Sequence, residues 1–239
     1  MGTPTHFPNG VTNVPIGGPM TGLTVPDPTL YYTFHDDFFN YNASEWIVTE
    51  VDTDSDAAVA NAITTGAGGW LVLNVEADEL DLTQLQWASE ESSAVVEHFL
   101  MASGKKTFMK ARFKVSDATD TGILIGLAVT DTTVVAGATD GFYFRKADTS
   151  TSLTCTMEKN STEVSVTAAT MANDTFVTVA VEYDGASTMK VWADGVHVGT
   201  SVAVTAPTDE ELTVSLGINN GVEGAEALTV DYIFIAQER

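Results

Sequence analysis

The chain has 239 residues, 44% of them apolar, and sets 33 acidic against 10 basic side chains for a formal net charge of −23. That length and apolar content support a buried core, in one large β domain or two small ones, and exclude disorder throughout. The charge argues against nucleic acid as a partner, because binding a phosphate backbone requires Lys and Arg to displace its counterions. A single cysteine, Cys155, excludes an internal disulfide, and four scattered histidines offer no tight metal cluster, so neither a metal nor another cofactor is expected. The N-terminus MGTPTHFPNGV lacks the basic and apolar regions of a secretory signal, and no later run reaches the ~18 apolar residues of a membrane span. A soluble chain made in the cytoplasm, with no membrane partner, is the expectation.

The first thirty residues differ from the rest. Residues 5–28 hold five of the seven prolines, with no Lys or Arg. Phe7, Val11, Val14, Ile16, Met20, Leu23 and Val25 nonetheless keep the segment apolar, unlike a solvated linker. It reads as an extended arm over residues 1–30 that lies along something, either its own sandwich or a neighbouring subunit.

From residue 31 onward the composition turns to sheet. The chain contains 34 Thr and 27 Val, whose branched Cβ atoms suit a pleated strand better than a helix. His35-Asp36-Asp37 reads as a polar cluster at a strand end. Asp52-Thr53-Asp54-Ser55-Asp56 has the first three ligand positions of a calcium loop but carries Ala57 at the sharp-turn glycine and Ile63 at the closing glutamate. Strands are predicted at WLVLNVE (70–76) and LTQLQWA (82–88), and the best helical candidate is the short stretch from Glu90 to Val95.

Basic charge is concentrated next. No Lys or Arg precedes Gly104, and half of all basic residues fall in KKTFMKARFKV (105–115). On a strand, Lys106, Lys110, Arg112 and Lys114 share one face with Phe108, while Met109, Ala111, Phe113 and Val115 share the other. The plainer reading of this stripe is cross-strand pairing with acidic neighbours such as Glu182 or Asp231. The sharper one is a docking face for an acidic partner. Cys155, between Leu153 and Met157 in an alternating strand, reads as a buried small apolar side chain.

In 175–183 the alternation sets Val177, Val179, Val181 and Tyr183 opposite Thr178, Ala180 and Glu182. Asp184-Gly185 and Asp194-Gly195 then make hairpin-linked strands of residues 179–202. In LTVDYIFI, Leu228, Val230, Tyr232 and Phe234 are predicted to face one way, opposite Thr229, Asp231, Ile233 and Ile235. Roughly a dozen strands over this span is the arithmetic of an all-β, antiparallel two-sheet sandwich.

Three resemblances add to this. Glu76-Ala77-Asp78-Glu79-Leu80-Asp81 resembles the Glu-x-Asp-x-x-Glu signature of the laminarinase-like glycosidases, but Asp81 stands at the final Glu and Ala77 at the branched apolar position. A solvated acidic loop between two strands is the plainer reading of it. The order KARFKVSD, GILIGLAVTD, DGFYFRK, the long 175–200 stretch, LTVSLGI and LTVDYIFI resembles the concanavalin A-like lectin/glucanase jelly roll, which implies that fold for residues 31–239. FPNGVTNV (7–14), FHDDFFNY, Trp46, LQWASE, ARFKVSDAT and GLAVTDTT resemble structural proteins of tailed bacteriophages, notably those of marine and aquatic bacteria.

The last resemblance implies a virion component, with capsid decoration or cementing on the outer head surface as the fitting role. It implies the major capsid protein, neighbouring copies of the chain or both as partners, homo-oligomerisation, and no enzymatic activity. Phe7, Pro8, Val11, Val14 and Ile16 are the candidate anchors, with Lys106, Lys110, Arg112 and Lys114 as a second face. Two rivals keep the fold: a glycan-binding module, for which Trp46, Trp70, Trp87 and Trp192 are stacking candidates, and a polysaccharide-cleaving enzyme using Glu76 and Asp81.

Overall fold

The structure, a computed structural model, describes residues 29–51, 69–77, 81–88, 97–222 and 224–239. Residues 1–28 of the N-terminal arm, the Asp52–Asp56 motif and the helical candidate at Glu90–Val95 lie outside the described residues.

Fifteen strands follow one another among the described residues: β1 (Tyr31–Asp36), β2 (Trp46–Val51), β3 (Leu71–Val75), β4 (Leu82–Trp87), β5 (Phe99–Leu100), β6 (Thr107–Val115), β7 (Thr121–Ala128), β8 (Gly141–Lys146), β9 (Ser152–Lys159), β10 (Thr162–Thr170), β11 (Val177–Tyr183), β12 (Met189–Ala193), β13 (Val196–Thr200), β14 (Glu211–Asn220) and β15 (Glu226–Glu238). Among the described residues, helix is confined to one turn, α1 (Val134–Gly137), and a three-residue 3-10 turn at Ala43–Glu45.

All pairings are antiparallel. The first sheet runs β1-β15-β6-β11-β12-β13, with β1 and β3 sharing one edge of β15, and the second runs β10-β9-β8-β7-β14-β4-β2, with β5 also on β14. The inner strands send alternate residues into the space between the sheets. Met109, Ala111, Phe113 and Val115 of β6 meet Ile123, Ile125 and Leu127 of β7, Phe142 and Phe144 of β8, and Leu212, Val214, Leu216 and Ile218 of β14 in one continuous core. Cys155 is fully buried there, and burial raises its thiol pKa. Both predicted turns carry their geometry. Asp184 accepts hydrogen bonds from the N–H groups of Ala186, Ser187 and Thr188, and Asp194 and Gly195 adopt the positive φ values, 47° and 80°, that a two-residue hairpin needs.

One predicted alternation is corrected. Leu228 and Val230 face the core as expected, but Ile233 and Ile235 do too, while Tyr232 and Phe234 face outward. The cause is a β-bulge: β15 and β6 shift register between Val230 and Tyr232, and the extra residue, Asp231, reverses the side-chain parity beyond it.

Lys146 points the same way as Phe142 and Phe144, into the interior, and is 1% exposed. Its Nζ donates to the carbonyl oxygens of Thr121, Ala147 (3.1 Å) and Ser150 (3.0 Å), tying the β7 start to the β8–β9 turn. Burial pulls its pKa down to about 8, against the opposing pull of Asp117, Asp148, Asp120 and Glu226.

Candidate functional site

The basic stripe of β6 lies on the outer face of the first sheet, where the alternation places it. Its charges meet neighbouring carboxylates: Lys106 pairs with Glu182 of β11 (3.6 Å), Arg112 with Asp231 at the β15 bulge (2.5 Å) and Lys114 with Asp174 (3.0 Å). Arg112 also stacks on Phe176 with its guanidinium carbon 4.0 Å from the ring centroid, and Lys110 Nζ lies 5.8 Å from that of Tyr232. Cross-strand pairing, the plainer expectation, is therefore the arrangement present, and it brings Glu182 and Asp231 together with the stripe as expected. Phe7, Pro8, Val11, Val14 and Ile16 lie outside the described residues.

Glu76 and Asp81 flank the connection between β3 and β4, whose residues 78–80 are outside the described residues. Glu76 is half-buried. Asp81 is 1% exposed, which corrects the solvated-loop expectation at that residue. The physical reason is closure of this connection onto the end of β14: the Asn220 side chain donates to the Glu76 carbonyl (2.8 Å) and the Asn220 N–H to the Asp81 carbonyl (3.2 Å). At the other polar cluster, Asp36 accepts the Phe38 N–H at 2.7 Å, and burial raises its pKa against that bond. His35 is exposed. Of the four tryptophans, Trp46 and Trp192 are buried, whereas Trp70 and Trp87 are half-buried, the former against Phe176 and the latter against His98.

The outer face of the second sheet carries the most built feature, which the sequence reading missed. Segment 129–137, which contains α1 and makes up most of the connection from β7 to β8, lies across this face as a strap. Two glutamines of β4 hold it by its backbone. Gln84 donates to the Asp131 carbonyl (2.5 Å) and accepts the Val134 N–H (3.0 Å). Gln86 donates to the Val129 carbonyl (3.0 Å) and accepts the Asp131 N–H (3.1 Å). Each buried amide thus satisfies donor and acceptor together, as a neighbouring strand would. Val134, Val135 and Ala138 pack on Leu82, Leu124, Ala128 and Tyr143 in a second, small core outside the sandwich. Gly217 makes room for it, since a Cβ there would stand 2.4 Å from Val135 Cγ2. The signal available in the sequence was LTQLQW, a strand whose polar positions are glutamines rather than charges, together with the apolar Val134-Val135 in a connection.

Beyond the strap, the Tyr143 hydroxyl donates to Glu158 of β9, and burial with this bond raises the Tyr143 pKa. Glu158 is directly opposite Glu163 of β10, one buried and one exposed. A shallow groove of about 330 Å³ beside them is lined by Arg145, Ser150, Ser152, Thr154, Glu163 and Ser165. Glu97, Asp131 and Asp140 line a separate hollow, but Glu97 accepts from Thr130, Asp131 from Thr133 and Asp140 from the Asn160 N–H. Among the described residues, no group of three or more His, Cys, Asp or Glu is placed to hold a metal ion.

No family model matches the chain, and no curated protein matches its sequence. Solved structures do. The catalytic domain of an endo-1,3-beta-glucanase (laminarinase) from Thermotoga petrophila RKU-1 superposes with a TM-score of 0.57 at 12% identity, covering 90% of this chain and 100% of that one. Peanut lectin gives 0.55 at 11% identity over 87% and 97% of the two chains. A protein of unknown function from Shewanella oneidensis MR-1 gives 0.56 at 9% over 87% of each. At these identities the likeness is one of fold, and the fold is the concanavalin A-like lectin/glucanase jelly roll expected from the order of the strands.

Proposed function

We propose that this chain is a non-enzymatic structural protein of a tailed-phage particle, a decoration or cement subunit on the outer surface of the head. The observation that carries this reading is the strap: the chain's own backbone occupies the centre of the second sheet's outer face, while ion pairs and cation–π contacts engage the cations of the first. Among the described residues, these contacts leave the rim of the sandwich and the β9–β10 end of the second sheet to a partner. The motifs FPNGVTNV, ARFKVSDAT and GLAVTDTT supply the resemblance to virion proteins. A body at −23 is repelled by packaged DNA and favours the outer wall. Phe7, Pro8, Val11, Val14 and Ile16 anchor the arm on a capsomer or an adjoining subunit, and many such contacts together stiffen the shell.

Deletion of residues 2–28 tests this reading. The truncated chain keeps the β circular-dichroism signature of the full chain and no longer sediments with particles stripped of this protein. Retained sedimentation overturns the anchoring role.

A glycan-directed reading is the second, favoured by one observation. Glu158 and Glu163 are directly opposite across β9 and β10, and Glu163 lines a groove together with Arg145, Ser152, Thr154 and Ser165. The hydroxyls that line this groove with Glu163 suit a saccharide. Saturable glycan-array signal lost in Glu163→Gln promotes this reading to binding, and release of reducing ends from a β-glucan promotes it to catalysis.

A further inference from the structure

The charge of this molecule is distributed unevenly around its rim. Strands β1 and β2 form one flank, and residues 30–51 include Asp36, Asp37, Glu45 and Glu50 with no Lys or Arg. The opposite flank is made by β13 of the first sheet and β10 of the second. Residues 195–208, spanning β13 and the connection after it, contain no Asp, Glu, Lys or Arg, the longest such run among the described residues. On β10 and the turn after it, residues 164–173 are also uncharged.

The two neutral edges form one surface. Gly199 of β13 lies so close to β10 that an added Cβ would stand 2.7 Å from Val166 Cγ1. Three large apolar side chains point out of this flank: Val196 is 65% exposed, Val198 43% and Val202 75%. A groove of about 330 Å³ between β10 and residues 203–205, lined by Met157, Val164 and Ala203 and at one end by Lys159, whose charge is paired with Asp209 at 2.6 Å, opens beside them. Exposed valines clustered on a weakly charged rim are the kind of surface that a protein partner covers.

We infer that this β13/β10 flank is an interface between two copies of the chain, related by a two-fold axis. The choice of partner follows from charge. Two bodies at −23 repel each other, and the neutral flank is where they approach with least like-charge opposition. A head-to-tail contact would instead set the acidic β1/β2 flank of one copy against its neighbour. An isologous contact places Val196, Val198 and Val202 of both copies in one apolar seam.

The contact forms through side chains rather than through an added strand. The register of β12 and β13 shifts so that Val198 is an extra residue, and that of β9 and β10 shifts at Ala168. These bulges interrupt the open backbone edges on which strand addition depends. The inference is independent of whether the chain sits on a phage head, since it concerns the free protein.

Sedimentation velocity or light scattering on the full chain tests it. The wild type is a dimer of the 25.3 kDa chain at micromolar concentration, and raising the salt tightens it by screening the repulsion between the acidic bodies. Val198→Lys weakens the dimer at least tenfold with unchanged circular dichroism, whereas Val48→Lys, on β2 at the opposite flank, leaves it intact. Val202→Lys, in a connection outside any strand, repeats the Val198→Lys result with less risk to the fold. A monomeric wild type, or a dimer that survives both flank substitutions and yields to Val48→Lys, overturns the inference.

Discussion

Replacing Lys146 with methionine removes the one side chain that donates to the carbonyls of Thr121, Ala147 and Ser150 from inside the sandwich. Stranding three acceptors costs ~1–3 kcal/mol each. Against that, the variant escapes the penalty of holding an ammonium in the interior. The drop in pKa from 10.5 to about 8 corresponds to about 3 kcal/mol at neutral pH. The net expectation for Lys146→Met at pH 7 is a loss of about 3 kcal/mol.

The pH dependence separates these contributions. Because the folded pKa lies below the unfolded one, the unfolded chain binds more protons between pH 8 and 10.5, and wild-type stability rises with pH across that window. The buried tyrosines act in the opposite sense above pH 10, Tyr41 for instance being pushed up to about 12 by burial, but they act equally in both proteins. Urea unfolding followed by tryptophan fluorescence at pH 7, 8, 9 and 10 therefore shows the gap between wild type and Lys146→Met widening by about 3 kcal/mol. Parallel stability curves over that range refute the reasoning.

The strap makes a second prediction. Gln84→Ala with Gln86→Ala removes four backbone contacts, and at ~1 kcal/mol each amide exchange of residues 129–137 accelerates while that of β11 and β15 does not. Uniform acceleration would mean that the glutamines hold the sandwich rather than the strap. Third, Gly126→Ala places a Cβ 2.6 Å from Tyr143 Cα in the centre of the second sheet, where neither backbone can yield, and loss of soluble folded protein is expected. A variant with wild-type thermal stability would contradict that packing.

The parts of this molecule legible in its sequence were those governed by local periodicity. On β6, an inner strand of the first sheet, regular alternation sorted Lys110, Arg112 and Lys114 from Met109, Ala111 and Phe113 without error. Asp194-Gly195 declared its turn because few other residue pairs tolerate positive φ at both positions, and Asp184-Gly185 because Gly185 takes φ 79° while the Asp184 carboxylate accepts the loop's N–H groups. The outward placement of Tyr232 and Phe234 was hidden, because a single inserted residue at a bulge leaves no compositional trace and reverses every side chain after it. The strap was hidden for another reason. Gln84 and Gln86 meet Val129, Asp131 and Val134 over more than forty residues of sequence, and a glutamine that binds a remote backbone reads like one that faces water. Asp81 looked solvated for the same cause, since the β14 end that covers it lies far along the chain.

The flanks were partly legible. The uncharged run at 195–208 stands in the sequence, but its meaning depends on β10 and β13 closing the same side of the sandwich, which only the strand order reveals.

The proposed role as a head-decorating subunit is tested most directly by reconstructing tailed-phage particles assembled in a host that expresses this chain. The account predicts density for the jelly roll on the outside of the head in regular array, with residues 1–28 running onto a capsomer or a neighbouring copy. Purified, infectious particles that contain no trace of this polypeptide would contradict it.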